Sequence, residues 1–306
     1  MDGVLVVDKP RGPTSHDIVD RARRALGTRR VGHTGTLDPF ATGVLPLCLG
    51  RATRLARFLT AGEKAYRATL RLGFATTTDD LTGEPLGEPR PVVLTDEELR
   101  PALAALVGRF DQVPPSFSAR QVDGRRLYEL ARRGEAGARV ATPVEVYSLE
   151  LGARTSDTLE LEVRCSAGTY VRALARDLGE RLGCGGHLVA LRRTRSGGFG
   201  LEQAVPGDSF EGARERVVPL SRLLTDWPAV RVGAEGRRLV VHGRELAAED
   251  VLSGFPAGPL ERVRVLDETG ELLALAVPRG FDPGPSELPR RPSLHPDVVL
   301  LTSESR

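Results

Sequence analysis

Gly32-His33-Thr34-Gly35-Thr36-Leu37-Asp38-Pro39-Phe40-Ala41-Thr42-Gly43 runs directly into Val44-Leu45-Pro46-Leu47-Cys48-Leu49. The second part is continuously apolar, as expected of a strand buried on both faces. The first part is a loop of small residues holding one carboxylate. Pro39 biases Asp38 away from the helical region, and Leu37 and Phe40 flank it with apolar bulk. A carboxylate fixed at a strand mouth beside hydrophobic groups is a candidate nucleophile or base. An Asp-Pro pair by itself reads as a turn, so the case for chemistry rests on its company.

Working outward, residues 3–7 read as a strand that Pro10 and Pro13 break. Ser15 is a candidate N-cap for a helix to Leu26, with Ile18, Val19, Ala22 and Leu26 on one side. Residues 51–59 read as a helix and 65–72 as a strand of alternating character. Residues 79–91 are a polar loop. Thr95 with Glu98 makes a capping box for a helix to residue 107. Residues 145–151 and 158–165 read as a hairpin, and 169–182 as an amphipathic helix. After Leu224, residues 229–232, 239–242, 263–266 and 272–277 are short strand-like runs, which suggests a small β-rich domain. Five prolines after Phe281 predict an extended, loosely packed end.

A second stretch draws attention: Arg164-Cys165-Ser166-Ala167-Gly168-Thr169-Tyr170-Val171-Arg172. It leads from a strand into a helix, so Arg172 falls in the first turn, beside the positive end of the dipole. That placement costs ~0.3–1 kcal/mol unless an anion compensates.

Composition excludes several classes. The 306 residues carry 43 basic and 41 acidic groups, net +2, and no apolar run approaches a membrane span. The N-terminus lacks a basic n-region and cleavage site, so no signal peptide is expected. Three distant cysteines without C-x-x-C fit a reducing cytoplasm. Ser15-His16-Asp17 has the residue types of a hydrolase triad, but adjacent side chains on a helix start point different ways. Cys184-x-x-His187 has no second pair at zinc spacing. Gly197-Gly198-Phe199-Gly200 lacks the order of a dinucleotide loop, and no phosphate-binding G-x-x-x-x-G-K-[ST] occurs. Neither metal nor cofactor is expected.

Taken together, the motifs resemble those of TruB-type tRNA pseudouridine synthases. Residues 32–39 with Ala41-Thr42-Gly43-Val44-Leu45-Pro46 resemble the catalytic signature. Asp8-Lys9-Pro10-Arg11-Gly12 with Thr14-Ser15 resembles the N-terminal motif. Lys64-Ala65-Tyr66 resembles the segment with an active-site tyrosine, and residues 165–172 the arginine motif. His187-Leu188-Val189-Ala190-Leu191-Arg192-Arg193 resembles the motif with a pocket leucine. The match spans roughly residues 3–195, and five motifs in order make it specific.

The resemblance implies an α+β fold: a catalytic domain over residues 1–224, with a mixed, mainly antiparallel sheet flanked by helices. A small PUA-like RNA-binding domain would follow at 225–282, and a Pro-rich tail at 283–306. It implies isomerisation of uridine-55 in the tRNA T loop, with no cofactor. Asp38 carries over as the catalytic residue, Arg172 as its ion-pair partner holding it ionised, and Tyr66 as the residue under the uracil ring. The target base must be flipped out; His33 would occupy the space it leaves or contact its neighbours, and Tyr170 and Leu191 would line the pocket. Lys9 is a further expected substrate contact. Residues 112–139 correspond to an RNA-gripping loop. There, Gln121 stands where the family has a lysine, and Arg120, Arg125 and Arg126 could replace the charge.

The expected partner is the T-arm of tRNA, with no membrane. The chain lacks a long Lys-rich tail, so it is expected to act without guide RNA, as a monomer in the cytoplasm. A non-catalytic RNA-binding or RNA-folding protein would not need the Asp38, Tyr66 and Arg172 set. A base-flipping hydrolase would leave an abasic site instead of an isomer. The charge distribution agrees with an RNA partner. Residues 1–60, 112–139 and 164–195 carry net +5, +3 and +5, and the rest of the chain is acidic. A basic cleft on a nearly neutral protein follows.

Overall fold

The computed structural model describes residues 1–117, 140–281 and 291–301, and the backbone alone of 121–122 and 125–126. The N-terminal elements are β1 (Gly3–Lys9), α1 (Ser15–Leu26), β2 (Val31–His33), β3 (Thr42–Leu49), α2 (Ala56–Thr60) and β4 (Lys64–Leu72). The short β5 (Ala75–Thr76) and β6 (Pro85–Leu86), α3 (Asp96–Ala104) and β7 (Gly108–Gln112) come next. Then come β8 (Gln121–Val122), β9 (Arg125–Arg126), β10 (Thr142–Arg154), β11 (Thr158–Cys165) and α4 (Val171–Arg181). The long β12 (Gly186–Ser196) and the two-residue β13 (Phe199–Gly200), β14 (Val205–Pro206) and β15 (Val218–Pro219) complete this part.

One sheet joins most of these strands, in the order β14-β1-β3-β12-β4-β11-β10-β7, with β2, β13 and β15 attached at its side. Only the β1–β14 and β3–β12 pairs are parallel, so the sheet is mixed and mainly antiparallel. Alternation along β1 and β3 explains their unbroken apolar runs. Leu5, Val7, Leu45 and Leu47 pack in one cluster with α1, α3 and α4. Val4, Val6, Val44 and Cys48 pack in another, against Leu266, Leu272 and Leu275 of the C-terminal sheet. Strands covered on both faces need no polar alternation.

That C-terminal sheet comprises β16 (Ala229–Arg231), β17 (Val263–Leu266), β18 (Leu272–Arg279) and β19 (Ser293–Val299), in that order, with α5 (Ala234–Val241) alongside. Two expectations are corrected here. Residues 239–242 are not a strand, because Leu239, Val240 and Val241 end α5. Gly236 and Val240 are buried at helical spacing, four apart. The Pro-rich tail is not loose throughout. Ser293–Val299 pairs antiparallel with β18, and Leu294 and Leu300 are fully buried. Pro296 is tolerated because β19 is an edge strand whose register shifts beside its partner Ala276. The β-rich unit therefore runs past residue 282. No helix among the described residues is long and apolar enough to cross a membrane.

Candidate active site

The loop between β2 and β3 is clamped from three sides. Ser15 does not cap α1; Thr14 does, accepting from the Asp17 amide while Asp17 reciprocates. This frees the buried Ser15 Oγ to accept from the Leu37 amide at 2.8 Å and donate to the Leu37 carbonyl at 3.1 Å. Lys9 Nζ donates to the carbonyls of Pro10, Pro13 and Pro39 at 3.0, 2.8 and 3.3 Å. Arg193 donates to the carbonyls of Val44, Gly35 and Thr36 at 2.7, 3.0 and 3.5 Å. Gly43 has φ +102°, and a Cβ there would lie 2.1 Å from the Arg193 carbonyl oxygen. Only glycine lets β12 run this close to the loop's end.

Asp38, held at this point, meets α4. Gln112 fixes the helix start, accepting from the Tyr170 amide at 2.8 Å and donating to its carbonyl at 3.2 Å. Arg172 then approaches both oxygens of Asp38, with Nε 2.9 Å from Oδ2 and Nη2 3.2 Å from Oδ1. Its Nη1 lies 3.3 Å from Asp80 Oδ2 and donates to the Thr78 carbonyl at 2.9 Å. Its Nη2 also donates to the Phe117 carbonyl at 2.8 Å. The first-turn arginine thus has two anions, not one.

Asp80 was not identified from the sequence, where it lay in a polar loop. It is buried and accepts from the Thr78 hydroxyl at 2.8 Å, and from the Thr82 amide and hydroxyl at 2.8 and 2.5 Å. Asp79 turns the chain there at φ +60° and pairs with Arg176 at 3.0 Å. The signal was the run Thr76-Thr77-Thr78-Asp79-Asp80-Leu81-Thr82, dense in groups that bond their own backbone.

The pair opens on a cavity of about 560 Å³, within the roughly 300–1,000 Å³ of small-molecule sites. Asp38, Tyr66, Tyr170, Arg172 and Leu191 all line it, so five sequence-predicted residues meet at one place. Lys64 and Arg193 line it too; both sit within the sequence motifs, but no local pattern marks a role for either.

His33 does not line the cavity. It is half-buried on β2, and its Nδ1 accepts from the Gly35 amide at 3.3 Å. Lys9 is corrected from substrate contact to loop clamp, because it is 0% exposed and its ammonium faces three carbonyls. Arg120 and the side chains of Arg125 and Arg126 lie outside the described residues; the backbone at 125–126 pairs with 121–122. His187 Nδ1 meets the Phe74 carbonyl at 3.1 Å, and no group of three metal-ligating side chains occurs among the described residues.

Burial pushes the Asp38 carboxyl above its ordinary value; Arg172 and Lys9 oppose this and Asp80 adds to it. The expectation that Arg172 holds Asp38 ionised is met by an opposing force of desolvation. Burial also raises the Tyr66 phenol, against the pull of Arg193. It lowers His33, and it brings Lys9 and Lys64 down to about 8.

Residues 23–171 match the model of the TruB family pseudouridylate synthase N-terminal domain. Residues 172–225 match that of the tRNA pseudouridylate synthase B C-terminal domain. The tRNA pseudouridine synthase B of Aromatoleum aromaticum is 47% identical over 90% of this chain and 88% of its own. That of Solibacter usitatus is 44% identical over 98% of this chain and 100% of its own. Among solved structures, a chain of a Cbf5-Nop10-Gar1 complex superposes with TM-score 0.72 at 27% identity, covering 98% of this chain and 85% of that one. The fold is that of a pseudouridylate synthase. The chain belongs to the TruB family of these enzymes.

Proposed function

We infer that the chain isomerises uridine to pseudouridine in tRNA, at uridine-55 of the T loop. The observation that carries this reading is the Asp38–Arg172 pair at the wall of a cavity that Tyr66, Tyr170 and Leu191 also line. A ribose C1′ beside Asp38 puts the uracil ring over Tyr66. Arg172 orients the carboxylate through two contacts, and Asp80 and the Thr78 carbonyl orient Arg172 in turn. Uracil leaves C1′, turns, and rejoins through C5. Tyr66 is placed to assist loss of the C5 proton. The net change is an isomerisation, so atoms and electrons balance without an external group.

The T-loop base must flip out of its stack to enter the cavity. His33, two residues before Gly35 of the cavity wall, supports the flipped state from outside it. The C-terminal sheet serves as a PUA-like RNA contact. The chain acts as a monomer in the cytoplasm, without guide RNA.

The test is modification mapping of a tRNA transcript incubated with the protein alone. Pseudouridine at the T-loop uridine is expected. Asp38→Asn is expected to abolish the product while tRNA still binds. Substantial activity in that variant overturns the reading, and an abasic product would make the protein a hydrolase.

A further inference from the structure

The chain contains only two lysines, against 41 arginines. Lys9 clamps the catalytic loop; Lys64 does something else. It lies two residues before Tyr66 on β4, so both side chains share one sheet face. Arg193 stands directly across from Tyr66 on β12. All three line the cavity with Asp38. Lys64 is 5% exposed and Arg193 2%.

Buried cations are ordinarily paired. Among the described residues, neither Lys64 nor Arg193 has an ion-pair partner. The Lys64 ammonium has, among the described residues, one acceptor, the Thr60 carbonyl at 3.0 Å, for three donors. The Arg193 guanidinium faces the carbonyls of Val44, Gly35 and Thr36, and the residue stands opposite Tyr66. Among the described residues, the tyrosine side of the cavity therefore holds two positive charges without a carboxylate partner, while Asp38 stands with Arg172 and Lys9. A wall of this kind is built for negative charge that arrives or develops there.

Such charge arises in any route that begins by cleaving C1′–N1. The bond's electron pair leaves with uracil, giving an anion spread over N1, O2 and O4. When C5 attacks C1′, a ring electron pair forms the new bond, C5 loses its proton and N1 gains one. We propose that Lys64, backed by Arg193, is a catalytic residue that stabilises the detached uracil anion until C5 reattaches. This deepens the isomerase reading above and rests on it.

The experiment uses the full chain and a T-arm stem-loop RNA carrying uridine or 5-fluorouridine at the target position. Single-turnover consumption of the target nucleotide and RNA affinity are both read. Lys64→Met is expected to slow uridine consumption by about 10²–10³-fold, with RNA affinity within about twofold. Ring fluorine acidifies the leaving base, which then needs less support, so the deficit is expected to shrink severalfold with 5-fluorouridine. Lys64→Gln, which keeps a polar tip, repeats the comparison should Lys64→Met unfold, as thermal melting would show. Arg193→Lys keeps the charge and is expected to retain more activity than Arg193→Met. An equal deficit on both substrates, or an unchanged rate, overturns the proposal. So does a loss confined to RNA affinity, which would make Lys64 a phosphate contact. Uridine conversion by the wild-type chain tests the isomerase reading separately, and its failure would overturn both.

Discussion

Two carboxylates share the Arg172 guanidinium, and their roles differ by exposure. The Asp38 side chain is 34% exposed and open to the cavity; that of Asp80 is 4% exposed and bonded to threonines. Asp80 holds the arginine, and the arginine holds Asp38. Asp80→Asn removes a buried anion and is expected to lower kcat by about 10–100-fold, of the order of one buried charge contact of 1.5–3 kcal/mol, with KM for tRNA little changed. Its pH profile carries a sharper signature. In the proposed reaction Asp38 acts as the carboxylate, and its carboxyl lies above the ordinary 3.8 through burial, with the like charge of Asp80 adding to the rise. Activity is therefore expected to fail on acidification at a higher pH than an exposed aspartate would give. Asp80→Asn is expected to move that acid limb downward; an upward shift would refute the like-charge coupling. Asp38 and Arg172 were legible because a proline, a strand mouth and a helix start constrain them locally. Asp80 was not, because its meaning depends on an arginine 92 positions away in the chain.

At the scale of elements, local signals marked β1, β3, β4, β10 and β11, whereas β2, β7 and the long β12 carried no strand pattern that set them apart. Thr14 and Ser15 are chemically interchangeable as caps, so the chain's choice of Thr14 is invisible until the Leu37 backbone is seen against Ser15 Oγ. Ser15→Ala leaves that buried amide and carbonyl without partners, which costs about 1–3 kcal/mol each way of counting. A lower denaturation midpoint and a slower single turnover are expected together, because the same bonds fix the residue before Asp38. A stability loss without a rate loss would mean the loop holds its geometry on Lys9 and Arg193 alone. The strand-like reading of residues 239–242 failed for a related reason. Three consecutive apolar residues satisfy either period, and the deciding positions, Gly236 and Val240, lie one helical turn apart. Likewise Ser293–Val299 carries proline as an edge strand can, which composition alone reads as a loose tail.

Over the whole molecule, the near-zero net charge conceals basic segments that supply much of the cavity wall, Asp38, Arg172 and Arg193 among it, and tRNA affinity is expected to fall steeply with salt. A flat salt response would refute the basic cleft. The two lysines give the molecule a second global property. Burial lowers both from 10.5 to about 8, so the unfolded chain binds more protons than the folded one between those values. Stability must then rise with pH across that window. Cys48 and Cys165 act the other way, since burial lifts them from 9.0 to about 12 and about 11, and their effect begins near pH 9. Between pH 8 and 9 the lysines win. A net gain of about 1 kcal/mol is expected there, followed by a plateau as the thiols take over. Arginines contribute nothing to this profile because they do not titrate in the range. Denaturant unfolding at pH 7.5, 8.5, 9 and 10 measures it. Lys64→Met is expected to remove most of the net rise, because each lysine supplies about 1 kcal/mol and the thiols offset part of the sum; a steady decline from pH 7.5 would show that burial does not lower the two lysines and that both stay charged in the folded protein.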